Sequence, residues 1–262
     1  MLNLQEVRDK IVELVLEVGK LQLMNLGKEN LRIDTKSTSI DLVTEVDKKS
    51  EAAIIDFIRG HYPGHDILAE ESGLSADRAA YRWIVDPLDG TTNYAQGLPV
   101  FAVSIALQYQ GDTVLGVVYA PVIGQLFTAI KGQGAYLNGA KLRVAEKSEL
   151  AECVLGTGFP YDIATHPANN VDYFAGLIVQ ARGIRRMGAA AYDLACVAAG
   201  KLDGFWEMKL AIWDVAAAVL LVEEAGGQVI FFRDDRGVSL IAGNACICRR
   251  IQEEINRIDV QK

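Results

Sequence analysis

Histidine, proline and pairable cysteine are all scarce in this 262-residue chain, which has three His, six Pro and four Cys. The cysteines are Cys153, Cys196, Cys246 and Cys248; they form no CxxC pair, and Cys246 and Cys248 stand too close to bridge in a strand. This pattern argues against a disulfide scaffold and for reduced, mostly buried thiols in a cytoplasmic protein. His61 and His65 have the i, i+4 spacing of a zinc-binding helix, but Pro63-Gly64 between them forbids that helix. All three histidines, His166 included, are expected at the surface. Long apolar runs are missing too. The longest uncharged stretch of apolar character, Thr113–Ile130, is broken by Gly116, Pro121 and Gly124 and predicts two strands and a turn, not a membrane span. The first residues, MLNLQEVRDK, carry no apolar targeting core and no cleavage site. Positive charge is in deficit: 26 Lys and Arg stand against 34 Asp and Glu, for a net charge of -8. That balance speaks against direct nucleic-acid binding, and the short basic run Arg182–Arg186 does not reverse it.

What is present suits a globular chain. Half the residues are hydrophobic and 23% are charged, enough apolar surface to offset the ordering entropy of one large domain or two modest ones. Leu4, Val7, Ile11, Leu14, Val15, Val18 and Leu21 recur at helical spacing and predict an amphipathic helix ending near Gly27. A second helix is expected after Thr44, with Thr44 and Asp47 as a capping box, stopping before Tyr62-Pro63-Gly64. Strands are expected at Ile67–Ala69, Trp83–Val85, Val100–Leu107, Val114–Tyr119 and Gln125–Ile130, with Asn138-Gly139 as a hairpin turn. Residues 1–145 thus read as an α+β half, two helices on a largely antiparallel sheet. Residues 146–262 read as an α/β half. Its strands are expected at Val154–Thr157, Phe205–Glu207 and Val229–Phe232, and its helices at Asn170–Ala181, Ala189–Ala199, Val215–Ala225 and Ile247–Ile258. No flexible linker separates the halves, so they are expected to pack as one compact unit.

The chemistry is read from where the acids fall. Glu70-Glu71 follow one strand, and Asp86 follows another, which Pro87 is expected to stop. Asp89-Gly90-Thr91-Thr92 makes a turn opening a short helix, and Asp214 sits where a loop enters a helix. Acids at strand ends and helix mouths converge on the crevice where layered α/β proteins place their sites. Oxygen donors with so few histidines suit a hard cation such as Mg2+ and not Zn2+. Each acid also has a purely structural reading. Asp47 complements a first helical turn, Asp214 serves as an N-cap, Glu70-Glu71 form a solvated pair, and Glu207 is a strand-end acid facing water.

Asp86-Pro87-Leu88-Asp89-Gly90-Thr91-Thr92-Asn93 resembles the first motif of the inositol monophosphatase family. Trp213-Asp214-Val215-Ala216-Ala217, with Glu223 and Ala225-Gly226-Gly227, resembles its second. Asp41–Asp47, Ala69–Ser72, Gly97–Pro99, Gly134–Gly139 and Asp203–Glu207 extend the likeness over nearly the whole chain. The resemblance implies a layered α-β-α-β-α sugar-phosphatase fold and Mg2+-dependent, lithium-sensitive hydrolysis of small phosphate monoesters. It implies two or three Mg2+ ions: Glu70, Asp86 and the Leu88 carbonyl for the first, and Asp86, Asp89 and Asp214 for the second. Glu70 and Thr91 are then expected to activate the attacking water, with Asp47 behind Thr91 and no phosphoenzyme. Substrate contacts are expected from Asp89, Gly90, Thr91, Gly188, Ala189, Ala190, Glu207 and Asp214. Ala189 stands where many relatives carry Ser or Thr.

Inositol 1-phosphate or a similar sugar or polyol phosphate is the expected substrate. Fructose 1,6-bisphosphate, adenosine 3′,5′-bisphosphate, histidinol phosphate and NADP are rivals, although no Arg/Lys-dense insertion suggests a second phosphate pocket. A regulatory protein of the transcription machinery is the alternative from another class, because some bacterial relatives work through such partners. Gly156–Tyr161 resembles the bacterial branch but assigns no substrate. A homodimer is also expected, with the apolar run Val100–Leu107 contributing to its interface.

Overall fold

The computed structural model describes residues 2–28, 30–75 and 78–261. Helix α1 (Leu4–Asn25) is followed by a small ribbon of β1 (Ile33–Thr35) and β2 (Leu42–Thr44), then α2 (Glu45–His61). Next come β3 (Asp66–Ala69), β4 (Gly73–Leu74), β5 (Tyr81–Asp89) and the short helix α3 (Thr91–Ala95). A meander follows: β6 (Ala102–Tyr109), β7 (Asp112–Ala120), β8 (Gln125–Ile130), β9 (Gly134–Leu137) and β10 (Ala140–Lys141). The chain continues through β11 (Val154–Thr157), α4 (Val171–Ile178), β12 (Gly183–Arg185), α5 (Ala190–Ala198) and β13 (Gly204–Leu210). It ends with α6 (Ile212–Glu224), β14 (Gln228–Arg233), β15 (Val238–Gly243) and α7 (Ala245–Val260).

Two sheets result. The larger has eight strands in the order β10-β9-β8-β7-β6-β5-β3-β4, antiparallel except where β3 runs parallel to β5. The smaller has five, ordered β12-β11-β13-β15-β14, with β11 parallel to both its neighbours. Side-chain alternation explains the layering. On β5 and β6, Trp83, Val85, Val103, Ile105 and Leu107 point to the face covered by α1 and α2, where they meet Val7, Ile11, Val15, Ile54 and Ile58. Ile84, Ala102 and Ala106 point the other way, onto α5 and α6. The second face uses small residues because α6 lies against it: a Cβ on Gly116 would come within 2.5 Å of the Ala217 carbonyl oxygen. Leu240 and Ala242 of β15 close the central layer from the other side. The outer face of the small sheet (Leu155, Trp206, Ile241) is covered by Tyr173, Leu177, Ile247, Ile251 and Ile255 of α4 and α7. The order is helix, sheet, helix, sheet, helix, an α+β layered fold.

Local sequence accounts for most boundaries. Thr44 and Asp47 form the expected capping box: the Thr44 hydroxyl oxygen accepts from the Val46 and Asp47 amides, and Asp47 Oδ2 accepts from the Thr44 amide at 3.0 Å. Asn138 and Gly139 take φ of 48° and 83°, the two positive values a two-residue hairpin turn needs, and join the Leu137–Ala140 pair. Other expectations are corrected. Pro87 does not stop β5, because a register shift absorbs it. Asp86 pairs with Ser104 but Asp89 pairs with Ala102, so one extra residue is accommodated on β5. The apolar run Val100–Leu107 is unavailable to a dimer interface, since β6 lies between β5 and β7 and both its faces are covered. Asp214 is neither in the loop nor an N-cap: it lies in the first turn of α6, whose N-cap is Ala211, and takes the Ala211 amide at 2.7 Å. His65 is half-buried instead of superficial, its Nδ1 taking the indole N–H of buried Trp83 at 3.1 Å. His61 and His166 are exposed. Cys246 and Cys248 lie in the first turn of α7, not a strand, and all four cysteines are unpaired. Strands β12 and β15 lie outside the strands expected from the sequence.

Candidate active site

A cleft of about 310 Å³ opens where the end of β5 meets the starts of α5 and α6. The register shift in β5 explains its acidity. Residues three apart on a regular strand face opposite sides, and the extra residue between Asp86 and Asp89 returns both to the same side. Asp86, Leu88, Asp89, Gly90 and Thr91 accordingly line one cavity, joined by Glu70 from the end of β3 and Asp214 from α6. Glu207, Gly188, Ala189 and Ala190 complete the lining. Of the residues singled out from the sequence, Asp47 alone is absent from the lining.

Asp47 nevertheless reaches the cleft indirectly. Its Oδ2 caps α2, while Oδ1 accepts from the Thr91 hydroxyl at 2.8 Å. The structural reading holds on one oxygen, and the other oxygen meets a residue of the cleft. The Thr91 oxygen also lies 3.2 Å from the Leu88 carbonyl. Gly90 holds φ of +91°, and a Cβ there would meet the Val100 carbonyl at 3.0 Å and the Gly188 carbonyl at 3.2 Å. Only glycine allows this close packing of the two loops.

The acids are held by distinct partners. Lys36, from the β1–β2 loop, places Nζ 2.7 Å from Glu70 Oε1 and also contacts the Glu71 carboxylate. Asp86 Oδ1 accepts from the Leu88 amide at 2.9 Å. Asp89 accepts from the amides of Ala190, Ala191 and Tyr192 at 3.0, 2.9 and 3.3 Å, so the positive end of α5 is fixed onto the end of β5. The Ala190 N–H is thereby committed within the protein, not left open for a substrate. Glu207 is not a strand-end acid facing water. It lies inside β13, buried, with its carboxylate packed on Gly158, where a Cβ would be 2.1 Å from Oε1.

Burial, and then the charges of Glu70, Asp89 and Asp214, push the Asp86 carboxyl well above the usual range. Asp214 is raised likewise, by burial and by Asp89 and Glu70. Burial also raises Glu70, against the opposing pull of Lys36. Lys36 in turn is held above its ordinary value: burial opposes its charge, but Glu70 and Glu71 outweigh that. Such crowding of negative charge asks for cations or protons. The donor set, made of carboxylate and carbonyl oxygens, fits hard divalent ions. Among the described residues no three Asp, Glu, His or Cys side chains are gathered tightly enough to cage an ion as they stand. The acids line a shared cleft in an open arrangement.

The structure adds lining residues that the sequence reading passed over: Lys36, Tyr161, Arg186, Asp193 and Lys209. Asp193 is 1% exposed with Oδ1 unpartnered, and burial followed by the charges of Glu207 and Asp89 raises it well above the usual carboxylate range. A single acid on the buried, alanine-rich helix α5 was the available signal. Lys36 and Arg186 had none, because their approach depends on loops folding back across the sheets.

Comparison with known proteins agrees with this architecture. The inositol monophosphatase family model matches residues 3–259. The Nus factor SuhB of Pseudomonas aeruginosa is 49% identical over 219 residues, covering 82% of this chain and 81% of that protein. The inositol-1-monophosphatase of Mesorhizobium japonicum is 39% identical over 253 residues, covering 94% and 95%. The solved inositol monophosphatase of Anabaena superposes with a TM-score of 0.87 at 40% identity, covering 98% and 97%. The layered fold, the acid-lined cleft and these similarities lead to one conclusion: the chain belongs to the inositol monophosphatase family, whose members depend on metal ions, and is a phosphoric monoester hydrolase.

Proposed function

We propose that the protein is a Mg2+-dependent phosphatase of inositol 1-phosphate or a similar sugar or polyol phosphate. The observation that carries this reading is the shared cleft of Glu70, Asp86, Asp89 and Asp214, whose crowded charges require neutralisation. Glu70, Asp86 and the Leu88 carbonyl would hold one ion, and Asp86, Asp89 and Asp214 a second; a third, looser ion belongs near Glu70. Residues 1–145 supply Glu70, Asp86, Leu88, Asp89 and Thr91, and residues 146–262 supply Glu207 and Asp214. Mg2+, when bound, supplies the positive charge that screens a phosphate monoester and polarises an attacking water.

The rest follows from the chain's own groups. Glu70 and Thr91 orient the water, and the Thr91 hydroxyl is aligned by Asp47 Oδ1 at 2.8 Å. The Gly90 and Thr91 amides face the phosphate oxygens, with Gly90 letting the backbone approach closely. Attack is in line, without a phosphoenzyme. Asp89, Asp214 and Glu207 read substrate hydroxyls across the cleft, beside the small Gly188-Ala189-Ala190 loop. Lithium inhibition belongs to this reading. So do a homodimer and a cytoplasmic site; the latter is supported by the unpaired cysteines and by the lack, among the described residues, of a helix long and apolar enough to cross a membrane.

Phosphate release in Mg2+ tests the reading: Asp86→Asn abolishes turnover while the thermal melt stays cooperative, and unchanged turnover would overturn the metal assignment. A panel of esters that includes fructose 1,6-bisphosphate, adenosine 3′,5′-bisphosphate and NADP ranks the substrates. A second reading, regulation of the transcription machinery, is favoured by the relatives named Nus factor SuhB at 45–49% identity. It is tested by gel filtration with purified RNA polymerase, and failure to co-elute argues against it.

A further inference from the structure

Fourteen large hydrophobic side chains are exposed among the described residues, and of these Tyr161 is the one that lines the cleft. It belongs to the segment Gly156–Tyr161, whose role the sequence left open. The residue is 49% exposed, and its hydroxyl has no hydrogen-bond partner among the described residues. The charges of Asp41, Asp214, Glu70 and Asp89, together with burial as the larger effect, hold the phenol above its ordinary pKa, so the hydroxyl lies in the field of the acids that line the cleft.

The segment is nonetheless firmly held. At one end the Gly158 carbonyl accepts from Asn170 Nδ2 at 2.6 Å, and Asn170 Oδ1 takes the indole N–H of buried Trp206 at 2.7 Å. At the other end the Asp162 carboxylate accepts from Lys209 Nζ and Arg236 Nη2, both at 2.7 Å. Arg236 is 8% exposed, and its Nε and Nη1 have no partner among the described residues, so this buried guanidinium is spent on Asp162. Lys209 adopts φ of +62°, a left-handed conformation that is strained in a non-glycine residue. It sits in the irregular part of β13, two residues after Glu207, with its amide held by Ser239 Oγ at 3.1 Å. Strain and a buried cation thus converge on one aspartate, the neighbour of an aromatic ring that faces the cleft.

We propose that Tyr161 is a specificity-determining wall whose ring face receives the C–H face of a cyclic polyol or sugar, and that Asp162 is the positioning residue that fixes it. An amphipathic ring suits such a wall, because its face is apolar and its hydroxyl reaches polar groups, and a wall already fixed costs little ordering entropy on binding. Glu207, packed on Gly158 of the same segment, then reads hydroxyls, while Tyr161 reads ring shape. The inference rests on the phosphatase reading and names its substrate class more closely, as ring-bearing phosphate esters over acyclic ones.

The test measures kcat and KM with inositol 1-phosphate and with acyclic glycerol 2-phosphate in Mg2+. Tyr161→Ala raises KM for inositol 1-phosphate about ten-fold and that for glycerol 2-phosphate less than about two-fold, with kcat little changed for either. Tyr161→Phe, which keeps the ring, stays near wild type. Asp162→Ala reproduces the selective KM rise, and combining it with Tyr161→Ala adds nothing further. Tyr161 is half-exposed, so its variants report even if Asp162→Ala melts early. Equal KM changes on both esters, or a fall in kcat at constant KM, would overturn the proposal. A wild-type chain inert toward both esters would overturn the phosphatase reading beneath it.

Discussion

On the wall built by β3 and β5, each acid has an internal partner: Lys36 on Glu70, the Leu88 amide on Asp86, and three α5 amides on Asp89. On the wall formed by β13 and α5, the carboxylates of Glu207 and Asp193 are buried, and Asp193 Oδ1 has no partner among the described residues. The contrast separates two roles. An acid held by an internal partner is fixed in place, as the proposed in-line reaction demands, and keeps its remaining lone pairs for the metal ions. An acid left open offers its lone pairs to whatever enters, and the desolvation it has suffered favours a ligand with hydroxyl groups. In the proposed reading the first wall serves chemistry and the second recognition.

Substitutions should divide along the same line. The largest effect is expected from Asp86→Asn on the first wall, a loss of kcat on the order of a thousand-fold with the melt intact. Glu207→Gln on the second should instead raise KM for inositol 1-phosphate more than for an aryl phosphate. If both variants strike kcat equally, the division of labour fails. Gly90→Ala comes next. It should lower stability by about 2–3 kcal/mol by chemical denaturation, because a positive φ and backbone contacts near 3 Å act together. Gly97→Ala, with φ of +70° and nothing within 4 Å, isolates the conformational part at about 1 kcal/mol. Equal losses would mean that loop contact at Gly90 contributes nothing. Thr44→Ala removes the cap of α2 and should cost about 1 kcal/mol.

The last effect is read through pH and concerns Glu207 and stability. Burial raises its carboxyl from the ordinary 4.5 to about 8, only partly offset by Arg186. The folded state therefore holds a proton that the unfolded state releases between these values. That contribution is complete below pH 4.5 and is lost as pH rises through 8. With EDTA present to remove divalent ions, Glu207→Gln should melt progressively higher than wild type as pH increases from 5 to 9. Asp193, raised in the same direction, leaves a residual slope. A melting difference independent of pH would show that Glu207 is ionised in the folded protein.

Much of this arrangement was legible in the chain. The helical spacing from Leu4 to Leu21, the Thr44–Asp47 box and Asn138-Gly139 all act within a few residues, and each appears as expected. Glu70, Asp86, Asp89 and Asp214 were identified by their places at strand ends and helix starts. The shift at Pro87 was not legible, since a proline in a strand signals a stop unless the partner strand accommodates a bulge. Nor was β15, whose Val-Ser-Leu-Ile-Ala-Gly run is short and buried and shows no alternation. Asp47 shows why a choice between cap and site could not be made from spacing: one oxygen caps α2 and the other accepts from Thr91 of the cleft.

The sequence by itself determined which segments are helix or strand over most of the chain, and that oxygen donors, not thiols or imidazoles, stand at the strand ends and helix starts that meet in the cleft. Those properties come from side-chain type and local period, which need no distant partner. Only the tertiary structure decided that Asp86 and Asp89 share a face, that Lys36 rests on Glu70, and that Tyr161 and Glu207 face the same cleft. Each of these depends on strand register or on loops meeting across two sheets, where residues far apart in the chain are brought within hydrogen-bond distance.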